Sequence, residues 1–344
     1  MRLTIHIGTS KTGTTALQKS LFNSVGSLSE AGVYVDHHTR HLNLLGVLVQ
    51  DESRWSRGPR SWDDERKARA PDDALAVVER LRQAAADPRY TDAIISAEHL
   101  WRFSRTEVTR FIDVLDLPQT DIQIACYVRR PSRHWLSAVQ QTLKASGGFP
   151  APINYRYRVD EQLENWQSDP RIRKLIVRPF DREQLVGGSV ISDFMNHVVP
   201  GADLLPAADL SANEGMTAEA AILQQRYRSA THRDQDDQFT SVGRRVLRAI
   251  LEASRDVPGT PLTAHSTLLD LVDHRHVERL RWLAANHGVE LIPADELDRL
   301  EALDIDAHLG RETLVEQICS SFDQGALDQL SHLVMHRLAG GEKA

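Results

Sequence analysis

The chain has 344 residues, which is enough for one large α/β domain with additions or for two smaller domains. Its hydrophobic fraction of 41% and charged fraction of 26% are ordinary for a globular protein, and a net charge of −7 argues against non-specific binding of nucleic acid. No stretch reads as a signal peptide or a membrane span, and the two cysteines form neither a disulfide framework nor a zinc-binding pattern, so we expect a cytoplasmic protein.

Short apolar runs alternate with helical patterns over the first ~200 residues. The apolar runs predict strands at residues 2–8, 30–36, 93–97, 121–130 and 174–180. The helical patterns between and after them lie at residues 14–25, 72–87, 105–116, 132–146 and 189–199. This alternation predicts an α/β fold with a central parallel sheet and helices on both faces.

Two regions interrupt or follow this alternation. Residues 51–71 are polar with little periodicity, and we predict a surface loop or lid there. The last ~140 residues show helical patterns and little strand signal. We therefore expect an α/β core over residues 1–200 and a helical extension over 201–344 that packs on it as one structural unit. The extension could build an acceptor pocket or a homodimer contact, and its sequence leaves both open.

The stretch "HIGTSKTGTT", residues 6–15, joins the first predicted strand to the first predicted helix. A strand, a glycine-rich turn and a helix N-terminus form an anion-binding site, because the first helical N–H groups are unpaired and the helix dipole adds positive charge. Thr14 or Thr15 can cap the helix. In a nucleotide-binding Walker loop a lysine follows the second glycine, but here Thr14 follows Gly13 and Lys11 precedes it.

The string "SKTGTT" resembles the 5′-phosphosulfate loop of sulfotransferases that use 3′-phosphoadenosine 5′-phosphosulfate (PAPS), typically P-K-[ST]-G-T-[TS]. Ser10 stands where that family usually has proline. The resemblance implies a P-loop-like sulfotransferase fold, PAPS as donor and the corresponding 3′,5′-bisphosphate (PAP) as product. It also implies that Lys11 takes part in transfer. The donor-binding residues it implies in this loop are Ser10, Lys11, Thr12, Gly13, Thr14 and Thr15.

A second match lies in "CYVRRPSRHWLSAVQQ". Sulfotransferases of this class hold the donor's 3′-phosphate with an arginine at a strand end and a serine eight residues later, and Arg129 and Ser137 have that spacing. Arg129 can offer a bidentate fork to a phosphate. Pro131 can begin a helix without losing a needed N–H, and it stands where carbohydrate-type members often have R-x-P. The resemblance covers roughly residues 1–200.

Sulfuryl transfer needs a group that takes the proton of the acceptor hydroxyl. Glu98 and His99 follow the predicted strand at 93–97, and we favour Glu98 slightly as the base. The histidines of "DHHTRH", His37, His38 and His41, are weaker candidates from the acceptor side. No nearby carboxylate or cysteine completes a recognisable metal-binding spacing with these three histidines, and we expect no metal. No residue stands out for stacking on adenine.

These observations predict a bacterial sulfotransferase acting on a hydroxyl of a small molecule, sugar or glycolipid, with no nucleic-acid partner. A P-loop kinase or NTPase is the alternative enzyme, disfavoured by the missing lysine after Gly13 and by the lack of a clear Mg²⁺-binding aspartate. A nucleotide-binding module without turnover is the third alternative. The loop at residues 144–159 either borders the acceptor or simply connects elements.

Overall fold

The computed structural model describes residues 1–9, 11–39, 42–199, 215–231, 238–305 and 309–340. The strands of the described residues are β1 (Arg2–His6), β2 (Val33–Val35), β3 (Asp92–Ser96), β4 (Asp121–Val128) and β5 (Ile172–Pro179). They form one all-parallel sheet in the order β2-β3-β1-β4-β5, flanked by helices. The predicted fold class, an α/β core with a helical C-terminal extension, is confirmed.

The central strand β1 pairs with β3 on one side and with β4 on the other. His6 at the end of β1 lies opposite Ser96 on β3 and Ala125 on β4, so the loops that follow these three strands emerge side by side. The connection after β1 leads to β2 at one edge of the sheet, and the connection after β4 leads to β5 at the other. In open parallel sheets a ligand-binding crevice forms where adjacent connections diverge in this way.

Helices make up most of the remaining described structure. The α-helices are α1 (Thr14–Asn23), α2 (Val25–Glu30), α3 (Arg57–Arg60), α4 (Asp64–Ala86), α5 (Arg105–Leu115), α6 (Pro131–Leu143), α7 (Val159–Gln167), α8 (Val190–Val198), α9 (Ala218–Thr231), α10 (Ser241–Ala253), α11 (Ser266–His274), α12 (Val277–His287), α13 (Ala294–Glu301), α14 (Val315–Ile318) and α15 (Gln324–Leu338). Short 3₁₀ helices occupy Leu42–Leu48, Glu52–Arg54, Glu98–Arg102, Pro152–Asn154 and Val186–Gly188.

The prediction of a surface loop or lid over residues 51–71 is wrong. Most of this stretch is helical, and α4 begins at Asp64 and continues through Pro71. The Asp63 side chain caps α4 by accepting a hydrogen bond from the Arg66 N–H at 2.8 Å, which compensates one of the unpaired first-turn donors. Polar side chains surround the first turns of α4, so these turns lack the apolar periodicity that reveals the later part of the helix.

The apolar residues that cover one side of the sheet hold α1 in place. Leu17 and Leu21 of α1 belong to one buried cluster with Ile94 of β3, Ala125 of β4 and Phe194 of α8. Burying a leucine side chain of this kind contributes about 1.5–3 kcal/mol. The packing therefore fixes the beginning of α1 next to the carboxyl ends of β1, β3 and β4.

A buried carboxylate ties α8 to the two neighbouring strands. Asp193 is fully buried and accepts hydrogen bonds from Tyr127 Oη at 2.9 Å, from Arg178 Nε at 3.0 Å and Nη2 at 2.8 Å, and from the Val186 N–H at 3.1 Å. Burial alone would raise the pKa of Asp193, but the hydrogen bonds from Arg178, Val186 and Tyr127 outweigh it and lower this pKa below its usual value.

Replacing Asp193 with alanine is expected to lower the free energy of unfolding by about 3–5 kcal/mol, because the Arg178 guanidinium and the Tyr127 hydroxyl lose their buried partner. The pKa of Asp193 is lower in the folded chain than in the unfolded chain. Its ionised carboxylate therefore contributes its full stabilisation at pH values above those at which an ordinary carboxyl titrates. That contribution is lost as the pH falls through the lowered value. Urea unfolding at pH 7 and at lower pH measures both effects. The exposed Glu183→Ala is the control, with an expected change within about 0.5 kcal/mol. A stability loss for Asp193→Ala no larger than that would contradict the role of the network.

The described chain divides into two compact units. The first contains the sheet and comprises Met1–Arg129, Arg158–Leu210 and Arg279–Leu291; the second is helical and comprises Arg130–Tyr157, Ser211–Glu278 and Ile292–Ala344. The predicted boundary near residue 200 lies close to one crossing between the units, but the chain also crosses after Arg129, after Tyr157, and on both sides of the segment 279–291.

Within the described part of the chain, no helix combines the length and the apolar character needed to cross a bilayer.

Candidate functional site

The loop between β1 and α1 is shaped by two residues in the left-handed region. Lys11 has φ 65° and Gly13 has φ 76°. A Cβ at Gly13 would lie 2.8 Å from Val190 Cγ1 and 3.0 Å from Phe180 Cε2, so both the backbone conformation and the space require glycine there. A Cβ at Gly8 would lie only 2.4 Å from Thr14 Oγ1. The loop therefore presents backbone rather than side chains at its two glycines.

Threonine hydroxyls hold this loop together from inside. The Thr9 hydroxyl donates to the Tyr127 carbonyl oxygen of β4 at 2.9 Å. The hydroxyls of Thr12 and Thr14 both donate to the Thr9 carbonyl oxygen, at 2.7 Å and 3.4 Å. Thr12 and Thr14 are buried, while Thr15 is exposed. Of the predicted donor-binding threonines, Thr12 and Thr14 therefore use their hydroxyl protons within the loop.

The prediction that Thr14 or Thr15 caps α1 is wrong. The N-cap residue is Gly13 in the left-handed region, and no side chain caps the helix. Thr14 is the first residue within the helix rather than the residue before it, and its hydroxyl donates to the Thr9 carbonyl oxygen. The first N–H groups of α1 are thus left without a side-chain acceptor, as an anion-binding helix start requires. Ser10, the remaining predicted residue of this loop, lies outside the described residues.

Arg129 meets the loop from the neighbouring strand. It follows β4 directly, and its Nη1 donates to the Lys11 carbonyl oxygen at 3.4 Å. Its guanidinium carbon lies 5.7 Å from the centre of the Phe180 ring, which follows β5. The structure thus brings together Lys11 and Arg129, which are more than a hundred positions apart in the chain.

The adjacent Arg130 serves a different purpose. Within the helical unit, Arg130 Nε pairs with Asp273 at 2.6 Å and Arg130 Nη2 pairs with Glu296 at 2.7 Å. The buried Asp273 carboxylate also accepts from the Ser132 N–H at 2.8 Å and the Ser132 hydroxyl at 2.7 Å, which fixes the first turn of α6. Of the two consecutive arginines, only Arg129 makes a described hydrogen bond to the loop after β1.

The predicted partner of Arg129 lies on α6. Ser137 is half-buried in the middle of this helix, which belongs to the helical unit, whereas Arg129 ends the segment that belongs to the sheet unit. The joint contact of Arg129 and Ser137 with a 3′-phosphate stays a prediction.

Glu98 and His99 begin a 3₁₀ turn directly after β3, and their environments differ. His99 is buried; its Nε2 donates to Gln50 Oε1 at 2.6 Å, and its backbone N–H donates to Asn43 Oδ1 at 2.9 Å. Burial lowers the pKa of His99 to about 4, with the positive charge of Arg102 acting in the same direction. His99 is therefore a neutral, internally bonded residue that anchors the turn.

The Glu98 carboxyl is half-buried, and two positive charges act on its ionisation. Burial raises the pKa of Glu98, and the positive charges of Arg102 and Lys11 oppose this rise. A carboxylate with a raised pKa beside a cation is the kind of group that serves as a general base. The positive charge of Lys11 acts on the Glu98 carboxyl, while the His99 ring is hydrogen-bonded to Gln50.

One buried histidine beneath the loop was not predicted as part of the site. His6 ends β1, and its Nδ1 shares a 2.8 Å hydrogen bond with Ser96 Oγ at the end of β3. Burial lowers the pKa of His6 to about 3, so the ring is neutral. A Cβ at Gly8 would lie 2.8 Å from His6 Cε1, so the imidazole supports the loop from below. The only sequence signal was a histidine inside the otherwise apolar run "LTIHI".

Two of the predicted weaker bases, His37 and His38, follow β2 and are exposed. The rings of His37 and His38 are centred 3.9 Å apart, while His41 lies outside the described residues. Among the described residues, no group of three or more histidine, cysteine, aspartate or glutamate side chains is placed to hold a metal ion.

The site therefore consists of the loop after β1, Arg129 after β4 and Glu98 after β3, on three neighbouring strands. Comparison of the chain with models of known protein families, with curated proteins and with solved structures finds no match.

Proposed function

We propose that this chain is a sulfotransferase that moves a sulfuryl group from PAPS to a hydroxyl of a small molecule, sugar or glycolipid. The observation that carries the proposal is the hydrogen bond from Arg129 Nη1 to the Lys11 carbonyl oxygen at 3.4 Å. It joins the loop expected to hold one end of the donor to the arginine expected to hold the other. The crevice rule for parallel sheets favours the same place, between β1 and β4.

The residues at this place fit a doubly phosphorylated adenosine. Gly8 and Gly13 let the loop pack closely against neighbouring side chains, and the start of α1, which has no side-chain cap, would offer its N–H groups to the 5′-phosphosulfate. Lys11 adds a positive charge at the loop. The Arg129 guanidinium would hold the 3′-phosphate with a bidentate hydrogen bond.

The residues also account for the transfer step. The donor supplies an activated sulfuryl group: its bond to the 5′-phosphate oxygen breaks as a bond between sulfur and the acceptor oxygen forms. Glu98 accepts the proton of the acceptor hydroxyl, which becomes the attacking nucleophile. Lys11 and the N–H groups of the loop stabilise the negative charge left on the departing phosphate, as fixed dipoles and cations do in phosphoryl transfer. His99 and His6 keep the turn and the loop in place.

The alternatives have less support. A P-loop kinase needs a lysine directly after the second glycine to reach the β- and γ-phosphates, and Thr14 stands there with its hydroxyl turned inward. A binding module without turnover would not need a carboxyl whose pKa is raised by burial at the end of β3, as that of Glu98 is.

A thermal-stability titration separates these three possibilities. PAP without metal is expected to stabilise the chain, by about 2.7 kcal/mol at a concentration of one hundred times its dissociation constant, and ATP with Mg²⁺ is expected to have a smaller effect. Stabilisation by ATP with Mg²⁺ and none by PAP would support the kinase. PAP binding without turnover of radiolabelled PAPS on a broad panel of hydroxyl acceptors would support the binding module.

A further inference from the structure

Two histidines on the last helix face one surface cavity. His332 and His336 lie one turn apart on α15, and together with Gln329 and Leu333 they line a cavity of about 440 Å³. Both histidines are exposed. They take no part in the proposed transfer of a sulfuryl group.

The helix that carries them is firmly anchored. Its buried residues are Leu327, Leu330 and Val334. At 3.6 residues per turn, His332 and His336 point to the opposite side of α15 from these three residues. The two imidazoles therefore project from a rigid backbone whose other face is packed against the helical unit.

We infer that His332 and His336 bind one divalent transition-metal ion. Side chains four residues apart on a helix are neighbours, with Cβ atoms about 5–6 Å apart. Two histidines at this spacing on one helix face form the metal-binding pair of many zinc sites. Imidazole nitrogens suit Zn²⁺, Ni²⁺ and Cu²⁺, whereas Mg²⁺ and Ca²⁺ prefer oxygen ligands.

The ion would keep open coordination positions. Since no group of three ligand side chains occurs among the described residues, the protein supplies two imidazoles here and water completes the coordination. We expect the highest affinity for Cu²⁺, followed by Ni²⁺ and Zn²⁺.

Isothermal titration of the full chain with ZnCl₂, and separately with MgCl₂, tests the inference. Zn²⁺ is expected to bind at His332 and His336 with one ion per chain, and Mg²⁺ is not. Removing a ligand with His332→Ala or His336→Ala is expected to weaken this binding by at least about tenfold, since loss of even an outer-shell partner costs 10- to 100-fold. Both positions are exposed, and circular dichroism checks that the variants are folded.

The other exposed histidine pair supplies the matched control. In the double variant His37→Ala/His38→Ala, binding at α15 is expected to be unchanged. The inference is overturned if the wild-type chain does not bind Zn²⁺, if the α15 variants bind it as well as the wild type, or if only the His37/His38 variant loses it.

Discussion

Replacing Glu98 with glutamine is expected to reduce the turnover number for sulfuryl transfer by about 10²–10⁴-fold, the usual contribution of a general base. Glutamine has nearly the same shape as glutamate but cannot accept the proton of the acceptor hydroxyl. The affinity for PAP should change little, because Glu98 acts on the acceptor. Steady-state kinetics with radiolabelled PAPS and an acceptor found in the panel measure the turnover, and calorimetry measures PAP binding.

The pH dependence of turnover gives a second test of Glu98 as the general base. Glu98 must be deprotonated to act as a base, and burial raises its pKa, so the rate is expected to rise with pH across a range above that of an ordinary glutamate. A base at His99 would instead give a rise near pH 4. Wild-type turnover in Glu98→Gln, combined with loss of turnover in a folded His99→Gln variant, would transfer the role to His99.

Replacing Lys11 with alanine is expected to lower turnover by about 10²–10³-fold, the cost of losing one group that stabilises developing charge. The affinity for PAP should fall much less, because the backbone N–H groups of the loop remain. Lysine and alanine both carry a Cβ, so they meet the same steric cost at the positive φ of position 11, and the loop conformation should persist. The test measures the turnover number and the affinity for PAP of Lys11→Ala and of the wild type, and compares the two losses.

The matched control is Lys19→Ala, a lysine on α1 that has no part in the site. Its turnover should equal that of the wild type. If Lys11→Ala weakens PAP binding and turnover by the same factor, Lys11 only binds the nucleotide and does not act on the transfer step.

The sheet and the location of the loop were predictable because they depend on local patterns. Each strand is a short apolar run, and the run "RLTIHIG" ends in glycine before a helical pattern. The parallel direction of the strands followed from the alternation of strands and helices along the chain. The start of α4 was missed because its first turns carry no apolar side chain larger than alanine before Pro71, and Pro71 lies within the helix.

The side chains of the site were less predictable, since their directions depend on contacts far along the chain. Two arginines follow β4, and their separate roles emerge only from the Lys11 carbonyl on one side and Asp273 on the other. Glu98 and His99 are likewise adjacent in sequence, yet only the His99 ring is held by a hydrogen bond to Gln50. Such partners, dozens of residues or more away, leave no local pattern.

One experiment asks whether the loop and Arg129 hold the same nucleotide. Calorimetry compares PAP with adenosine 5′-phosphate, which lacks the 3′-phosphate, on the wild type, on Arg129→Ala and on the exposed control Arg133→Ala. We expect the wild type and the control to prefer PAP by about tenfold or more, as a hydrogen-bonded ion pair worth about 1.5–3 kcal/mol implies, and we expect Arg129→Ala to lose that preference. Equal wild-type affinities for the two nucleotides, or an undiminished preference for PAP in Arg129→Ala, would contradict the proposal.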